Sequence, residues 1–330
     1  MPDRPLVTLL GASGFIGGEL ARRLAARPIR LRLVSRHPAA VPQGPAQVEV
    51  VPADLRAPGV IEAAVADADA VFHLVAQISG TGAWRVAGGD EEGRAVNVGL
   101  LGRVVDALRS RTDRPVVVFT GSASQAGVDG LVSGGEPDRP STAYDRHKVA
   151  AERLLAAASA EGAVRGITLR LPTVYGVSPS GPGKGVVAAM ARRAWEDRPL
   201  LMWRDGSTMR DLLHVKDVAS ALLAAHDHGR ALGSAREASA PWLIGTGTPI
   251  RLSNLFTAIA AAVAARSGRP PVPVLPTEPP ADATPADFHS CVVDASAFTR
   301  ATGWRPAATW PSGLEDVVAA TAQTTQTSGT

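Results

Sequence analysis

The 330 residues exceed one typical domain and suffice for a large core, so one big α/β unit or two domains is the expectation. Basic and acidic residues nearly cancel, 34 against 31, and no lysine-rich block gathers the excess of +3, which argues against nucleic acid as a partner. The single cysteine, Cys291, leaves no internal disulfide and no cysteine-based zinc site, in keeping with a reduced cytoplasmic setting.

In chain order, the first stretch, Met1-Pro-Asp-Arg-Pro-Leu-Val, carries an acid and two prolines where a signal peptide needs an apolar segment. Leu6-Val-Thr-Leu-Leu10 predicts a buried strand, followed by the glycine turn Gly11-Ala-Ser13-Gly14-Phe15-Ile16-Gly17 and an amphipathic helix. That is the setting of a dinucleotide-binding turn, whose glycines admit a pyrophosphate and whose helix aims free amides at it. The next strand, Arg30–Val34, ends in Ser35-Arg36-His37, where an NAD site usually carries an acid for the ribose hydroxyls. A hydroxyl and a guanidinium suit a 2′-phosphate instead, so NADP(H) is expected rather than NAD(H).

Val48–Val51 predicts a third strand leading to Ala53-Asp54-Leu55, with Asp54 either beside the adenine or capping a helix. Residues 61–68 predict a helix, and Ala70-Val-Phe-His-Leu74-Val-Ala76 a fourth buried strand, in which His73 reads as a satisfied core histidine. The glycine-rich loop 77–93 with Trp84 falls at its carboxyl end, where doubly wound sheets bind ligands. Asn97, the one uncharged amide on the apolar helix 96–110, either bridges backbone groups at a kink or holds a relay water. Pro115–Phe119 predicts a fifth strand running into Thr120-Gly-Ser122-Ala-Ser124-Gln125.

Tyr144 and Lys148 then lie one helical turn apart and share a face, so phenol and ammonium can reach one pocket. A cation beside the phenol favours the phenolate and brings it toward working range. A strand, its terminal serine and a downstream Tyr-x3-Lys helix together point to catalysis. Further on, Leu255–Ala265 is the longest strongly apolar helical run, far short of the roughly 20 residues that span a bilayer. Seven prolines between Ser267 and Asp287 predict a short edge strand and loop rather than a polyproline ligand. From residue 319 the tail lacks apolar periodicity and predicts disorder. No histidine spacing suggests a metal site.

In these residues the chain resembles the extended short-chain dehydrogenase/reductases, the family of nucleotide-sugar epimerases, dehydratases and ketoreductases, over residues 5–318. The N-terminal motif is similar to Gly11-x-x-Gly14-Phe15-Ile16-Gly17, the catalytic trio to Ser122, Tyr144 and Lys148, and the family asparagine falls on Asn97. Later pieces agree in order: Leu169-Arg-Leu-Pro172-Thr-Val-Tyr175-Gly, Arg210-Asp211-Leu-Leu-His214-Val-Lys-Asp217, Gly245-Thr-Gly247 and Gly303-Trp-Arg-Pro306. The Asp-Glu pair of the 4,6-dehydratases is replaced by Ala123, Ser124 and Gln125, which argues against dehydration. Tyr144-Asp-Arg-His-Lys148 and Phe288–Asp294 most resemble the 4-ketoreductases that finish dTDP-deoxysugars for antibiotic glycosylation.

The resemblance implies a Rossmann-type doubly wound parallel sheet with a smaller C-terminal α/β substrate domain. Residues 1–171, with a return at about 212–238, would hold NADP, and 172–211 and 239–318 the nucleotide sugar. It implies NADPH-dependent reduction of the C4 ketone of a dTDP-4-keto-6-deoxyhexose. Tyr144 would act as general acid, Ser122 would hold the carbonyl, Lys148 would bind the nicotinamide ribose, and Asn97 would complete a water path. Implied cofactor contacts are Gly11, Ser13, Gly14, Phe15, Ile16, Gly17, Ser35, Arg36, Asp54, Leu55, Leu74, Ala76, Tyr144, Lys148 and Pro172. Implied substrate contacts are Ser124, Lys184 and Arg210, with Asp211 positioning the turn. A homodimer through the Asn97 and Tyr144 helices is implied as well. An NAD-dependent epimerase and a non-catalytic NADP sensor are the competing readings.

Overall fold

A computed structural model of the protein describes residues 4–77, 90–179, 181–183, 185–233, 240–281 and 283–327. The chain opens with β1 (Leu6–Leu10), α1 (Phe15–Ala25), β2 (Arg30–Ser35), β3 (Gln47–Pro52), α2 (Val60–Val65) and β4 (Ala70–His73). After α3 (Glu91–Arg94) come a π turn at Ala95–Gly99, α4 (Leu100–Leu108), β5 (Val116–Ser122), β6 (Gly130–Val132), α5 (Ala143–Ala160) and β7 (Arg165–Leu171). The second half begins with β8 (Thr173–Tyr175), β9 (Val177–Ser178), β10 (Gly181–Pro182), α6 (Val186–Trp195), β11 (Leu200–Trp203), β12 (Met209–His214), α7 (Val215–Asp227) and α8 (Gly229–Leu232). It ends with β13 (Trp242–Leu243), β14 (Pro249–Arg251), α9 (Leu252–Ser267), β15 (Val274–Thr277), β16 (Cys291–Val293), α10 (Ser296–Thr302) and α11 (Trp310–Thr327).

A parallel sheet ordered β13-β7-β5-β4-β1-β2-β3 has at its centre β5, β4 and β1, runs without Asp, Glu, Lys or Arg that are buried on both faces, while β7, β2 and β3 carry arginine or glutamate. The strand order reverses between β1 and β4, whose ends register as Leu10 opposite His73, so the crevice opens above this pair. Leu20, Leu24, Val218, Leu222, Phe298 and Trp304 pack one face, bringing α1, α7 and α10 into a common layer. Ile61, Val65, Leu101, Val105, Ala151 and Leu155 pack the other, from α2, α4 and α5.

A smaller core joins α6, α9 and α11 through Val187, Ala191, Leu255, Ile259, Leu314 and Val317. Beside it runs a sheet ordered β14-β12-β16-β6, with β8 on the flank of β12. The proline-rich segment contributes β15, a short strand parallel to β11.

Three features depart from the expected boundaries. β13, placed in the substrate half by the sequence, is the terminal strand of the large sheet against β7. β6, placed in the cofactor half, is an edge of the smaller sheet against β16. The tail expected to be disordered from 319 continues α11 to Thr327, and Thr321 and Ala322 are buried on its inner side. Thr321 satisfies its hydroxyl within the helix, donating to Val317 O at 2.8 Å. Among the described residues no helix is long and apolar enough to cross a membrane.

Candidate active site

The turn after β1 is closed by backbone bonds. Gly11 takes φ +91°, and its amide donates to Val34 O at 2.8 Å. A Cβ on Gly17 would lie 2.1 Å from Gly11 O, so only hydrogen fits where α1 crosses the turn. No side chain caps the α1 N-terminus, which leaves its first amides and the positive helix end for an anion. A Cβ on Gly11 would meet the Leu74 carbonyl carbon at 3.2 Å, which brings the ends of β1 and β4 against each other. Ser13, Phe15, Ile16, Leu74 and Pro172 are half-buried around this crevice, while Gly14 and Ala76 are exposed.

The adenosine end differs from expectation at two residues. Ser35 is buried and its hydroxyl donates to His37 O at 2.7 Å, so it is turned into the loop instead of offered to a phosphate. Asp54 neither caps a helix nor stands free for a base, because Arg56 grips it through Nη2 at 2.7 Å and through its amide at 2.9 Å. Those bonds hold the carboxyl down at about 2. Leu55 beside it is buried. Arg36 is exposed and has no ion-pair partner among the described residues.

At the crevice, Ser122 ends β5 while Thr142 caps α5, its hydroxyl accepting from the Asp145 amide at 3.1 Å. That cap fixes the helix on which Tyr144 and Lys148 stand. Lys148 is 2% exposed, donates to Thr120 O at 2.8 Å, and lies 4.6 Å from the Phe119 ring centroid and 5.6 Å from that of Tyr144. Burial lowers its ammonium to about 7. Tyr144 keeps some accessible surface, yet the protein packed around it, and then the Asp145 charge, push its phenol well above the ordinary value. The expected lowering by Lys148 is therefore absent from the protein by itself: desolvation outweighs the cation.

Two further expectations are sharpened. His73 is wholly buried but not satisfied, since neither ring nitrogen has a partner among the described residues. Burial, then the Lys148 charge, lower it to about 3, so it stays neutral. Asn97 sits in the π turn and clips the backbone of Gln77, accepting from its amide at 2.8 Å and donating to its carbonyl at 2.9 Å. It takes the bridging role of the two readings and fixes the chain leaving β4. The loop 78–89 with Trp84 lies outside the described residues.

The residues in place of an Asp-Glu pair face different ways. Gln125 turns inward, accepting from the Ser122 amide at 2.6 Å and donating to Glu152 at 3.2 Å. Glu152 and Asp138 clasp the buried guanidinium of Arg170, each at 2.7 Å. Ser124 lies with its hydroxyl 2.7 Å from that of Ser122 and donates to Asp145 at 2.5 Å. Sequence reading missed Asp145. Its signal was an acid directly after the tyrosine, which reads equally as a helix first-turn charge.

On the substrate side, Arg210 donates to the carbonyls of His289 at 2.5 Å and Asp287 at 2.7 Å. Burial lowers its guanidinium, and no carboxylate pairs with it among the described residues. Its fork is thus partly spent on backbone and not wholly available to a diphosphate. Asp211 accepts from the amides of Thr246 and Gly247, both at 3.0 Å, and fixes that turn. Lys184 lies outside the described residues. A groove of about 650 Å³ between Gly245, Asp294, Thr299 and Arg300 includes none of the trio.

The crevice fits a dinucleotide on two observations: an uncapped helix start over a turn that excludes side chains, and a buried ammonium with one acceptor among the described residues. Residues 7–239 match the profile of the NAD dependent epimerase/dehydratase family. The chain belongs to this family. It is 32% identical over 189 residues to D-erythronate dehydrogenase of Cupriavidus necator, a match covering 53% of this chain and 57% of that relative. To dTDP-6-deoxy-L-talose 4-dehydrogenase (NAD(P)(+)) of Kitasatospora kifunensis it is 28% identical over 94% of each protein. Among solved structures, MoeE5 in complex with UDP-glucuronic acid and NAD superposes with a TM-score of 0.77 at 25% identity, covering 97% of this chain and 99% of the other.

Proposed function

We propose that the protein interconverts ketone and hydroxyl at C4 of a dTDP-6-deoxyhexose, working as an NADPH-dependent 4-ketoreductase. The observation that supports the reading is Lys148 bonded to Thr120 O near the end of β5, which Ser122 closes, and 5.6 Å from the Tyr144 ring centroid, with Gln125 and not an acid on the Ser122 amide. NADPH, when bound, supplies the hydride. Tyr144, kept protonated by its surroundings, gives its proton to the carbonyl oxygen. Ser122 faces that oxygen and accepts a hydrogen bond from the hydroxyl that forms. Lys148 has protons beyond the one given to Thr120 O, and these suit a ribose hydroxyl. Arg36 just beyond β2, with no ion-pair partner among the described residues, favours a 2′-phosphate. The relative whose match spans 94% of each chain carries a C4 dehydrogenase of a dTDP-6-deoxysugar in its name, with either nicotinamide cofactor.

The test is loss of reduced-nicotinamide absorbance on mixing the protein with NADPH or NADH and dTDP-4-keto-6-deoxyhexoses of both C5 configurations. Stoichiometric loss, faster with NADPH, is the expected result. An isomerised sugar with no cofactor consumed would instead establish a nucleotide-sugar epimerase. Tyr144→Phe should lower kcat/KM by about 10²- to 10⁴-fold with NADPH binding intact, and surviving turnover would remove Tyr144 from the acid role.

A further inference from the structure

Asp145 is 3% exposed and follows the tyrosine directly, and beyond the effect of its charge on Tyr144 the reaction above gives its two oxygens no part. Its two oxygens take different hydroxyls: Ser124 Oγ at 2.5 Å and Thr142 Oγ1 at 2.7 Å. Ser124 Oγ in turn lies 2.7 Å from Ser122 Oγ. A hydroxyl carries one proton and two lone pairs, and a carboxylate accepts only. Both hydroxyls that touch Asp145 therefore give it their protons. Ser124 then has none left, so the proton between the serines belongs to Ser122. The Ser124 amide, 3.4 Å away, also points at Ser122 Oγ and occupies one lone pair weakly. What remains toward the crevice is a Ser122 lone pair.

We propose that Asp145, acting through Ser124, fixes the direction of this hydrogen-bond chain so that Ser122 meets the reacting oxygen as an acceptor, matching the site to the hydroxyl form of the sugar over the ketone. The inference rests on the C4 oxidoreductase reading and adds a direction to it. A sugar hydroxyl brings a proton to the open lone pair. A ketone brings only lone pairs, and must first reverse the chain against a buried carboxylate. Asp145 and Ser124 are thus positioning residues, and the alcohol is the more tightly held ligand.

Two measurements test this. Neutron diffraction from perdeuterated crystals, which needs no substrate, should place the Ser122 deuterium toward Ser124 Oγ and the Ser124 deuterium toward Asp145. The opposite order, or a deuterium on Asp145, overturns the inference. Dissociation constants of complexes that cannot turn over, the alcohol with reduced cofactor and the ketone with oxidised cofactor, supply the second readout. In the wild-type protein the alcohol should bind more tightly. Ser124→Ala frees the Ser122 proton, and the alcohol-to-ketone affinity ratio should fall by roughly 3- to 10-fold, the worth of one neutral hydrogen bond. Ser124→Thr, which keeps the hydroxyl, should restore it. An unchanged ratio in Ser124→Ala refutes the proposal. If the neutron order is as expected and neither sugar binds, the chain direction stands and the substrate reading fails.

Discussion

Replacing Gly17 by alanine probes the cofactor turn with a single methyl group. The added Cβ would stand 2.1 Å from Gly11 O, 3.0 Å from Gly11 C and 3.1 Å from the Ala12 Cα. All three are backbone atoms, so no side chain can rotate away, and α1 must retreat from the turn by on the order of 1 Å to restore ordinary contact. Overpacking of this kind costs about 1–3 kcal/mol, of which alanine's helix preference returns up to about 1. The fold should therefore survive with a modestly lower melting temperature. The helix amides, however, move out of reach of a bound pyrophosphate. Losing one or two charge-assisted bonds, at about 1.5–3 kcal/mol each, weakens binding at least tenfold. Calorimetric titration with NADP and NAD, beside melting followed by circular dichroism, separates the two effects. Gly99→Ala is the control, since nothing lies within 4 Å of its added methyl. A Gly17→Ala protein that binds either dinucleotide like the wild type would remove this turn from the cofactor site.

Arg36→Ala should weaken NADPH by roughly 10- to 100-fold and leave NADH within about twofold, and equal losses for both would contradict a 2′-phosphate role. Arg170→Met leaves the buried Glu152 carboxylate with only Gln125 as a partner and should cost about 3–5 kcal/mol, read as a drop in denaturant midpoint; an unchanged midpoint would show the Arg170–Glu152 pair to be dispensable. Lys148 gives a pH signature in the cofactor-free protein. Its folded value of about 7 lies below the unfolded 10.5, so between them the unfolded chain binds more protons and stability rises with pH. The penalty of a buried charge is fully present below pH 7 and fades toward 10.5. The stability difference between Lys148→Met and wild type should shrink across that window, and a constant difference would place the ammonium in water.

The first five strands of the large sheet, the glycine turn and the Tyr144 helix were legible because each is written within one short stretch. A continuous apolar run, a glycine that must lie close to backbone and an i, i+4 pair need no knowledge of distant residues. The failures were of another kind. Ser35 and Asp54 were assigned to a ligand from their place at strand ends, and that place does not report the bonds they make to His37 O and Arg56. Arg210 was taken as a free fork, yet the carbonyls that hold it come from residues nearly eighty positions later. His73 was expected to be satisfied, and no sequence pattern reports a missing partner. The ends of α11 and the memberships of β6 and β13 depend on which surface reaches them first in three dimensions.

The crossed memberships of β6 and β13 bear on how the protein is made. About 70 residues separate the end of β7 from β13, which covers its edge, and about 160 separate β6 from β16. At a synthesis rate of about 5–20 residues per second, β7 emerges from the ribosome with an open edge for roughly 4–14 seconds, and β6 waits longer still. The nascent cofactor half therefore passes through a period as an unfinished sheet that can pair with a neighbouring copy. Production at low temperature or with a holdase chaperone should raise the soluble yield most for variants that slow the arrival of β13 and β16.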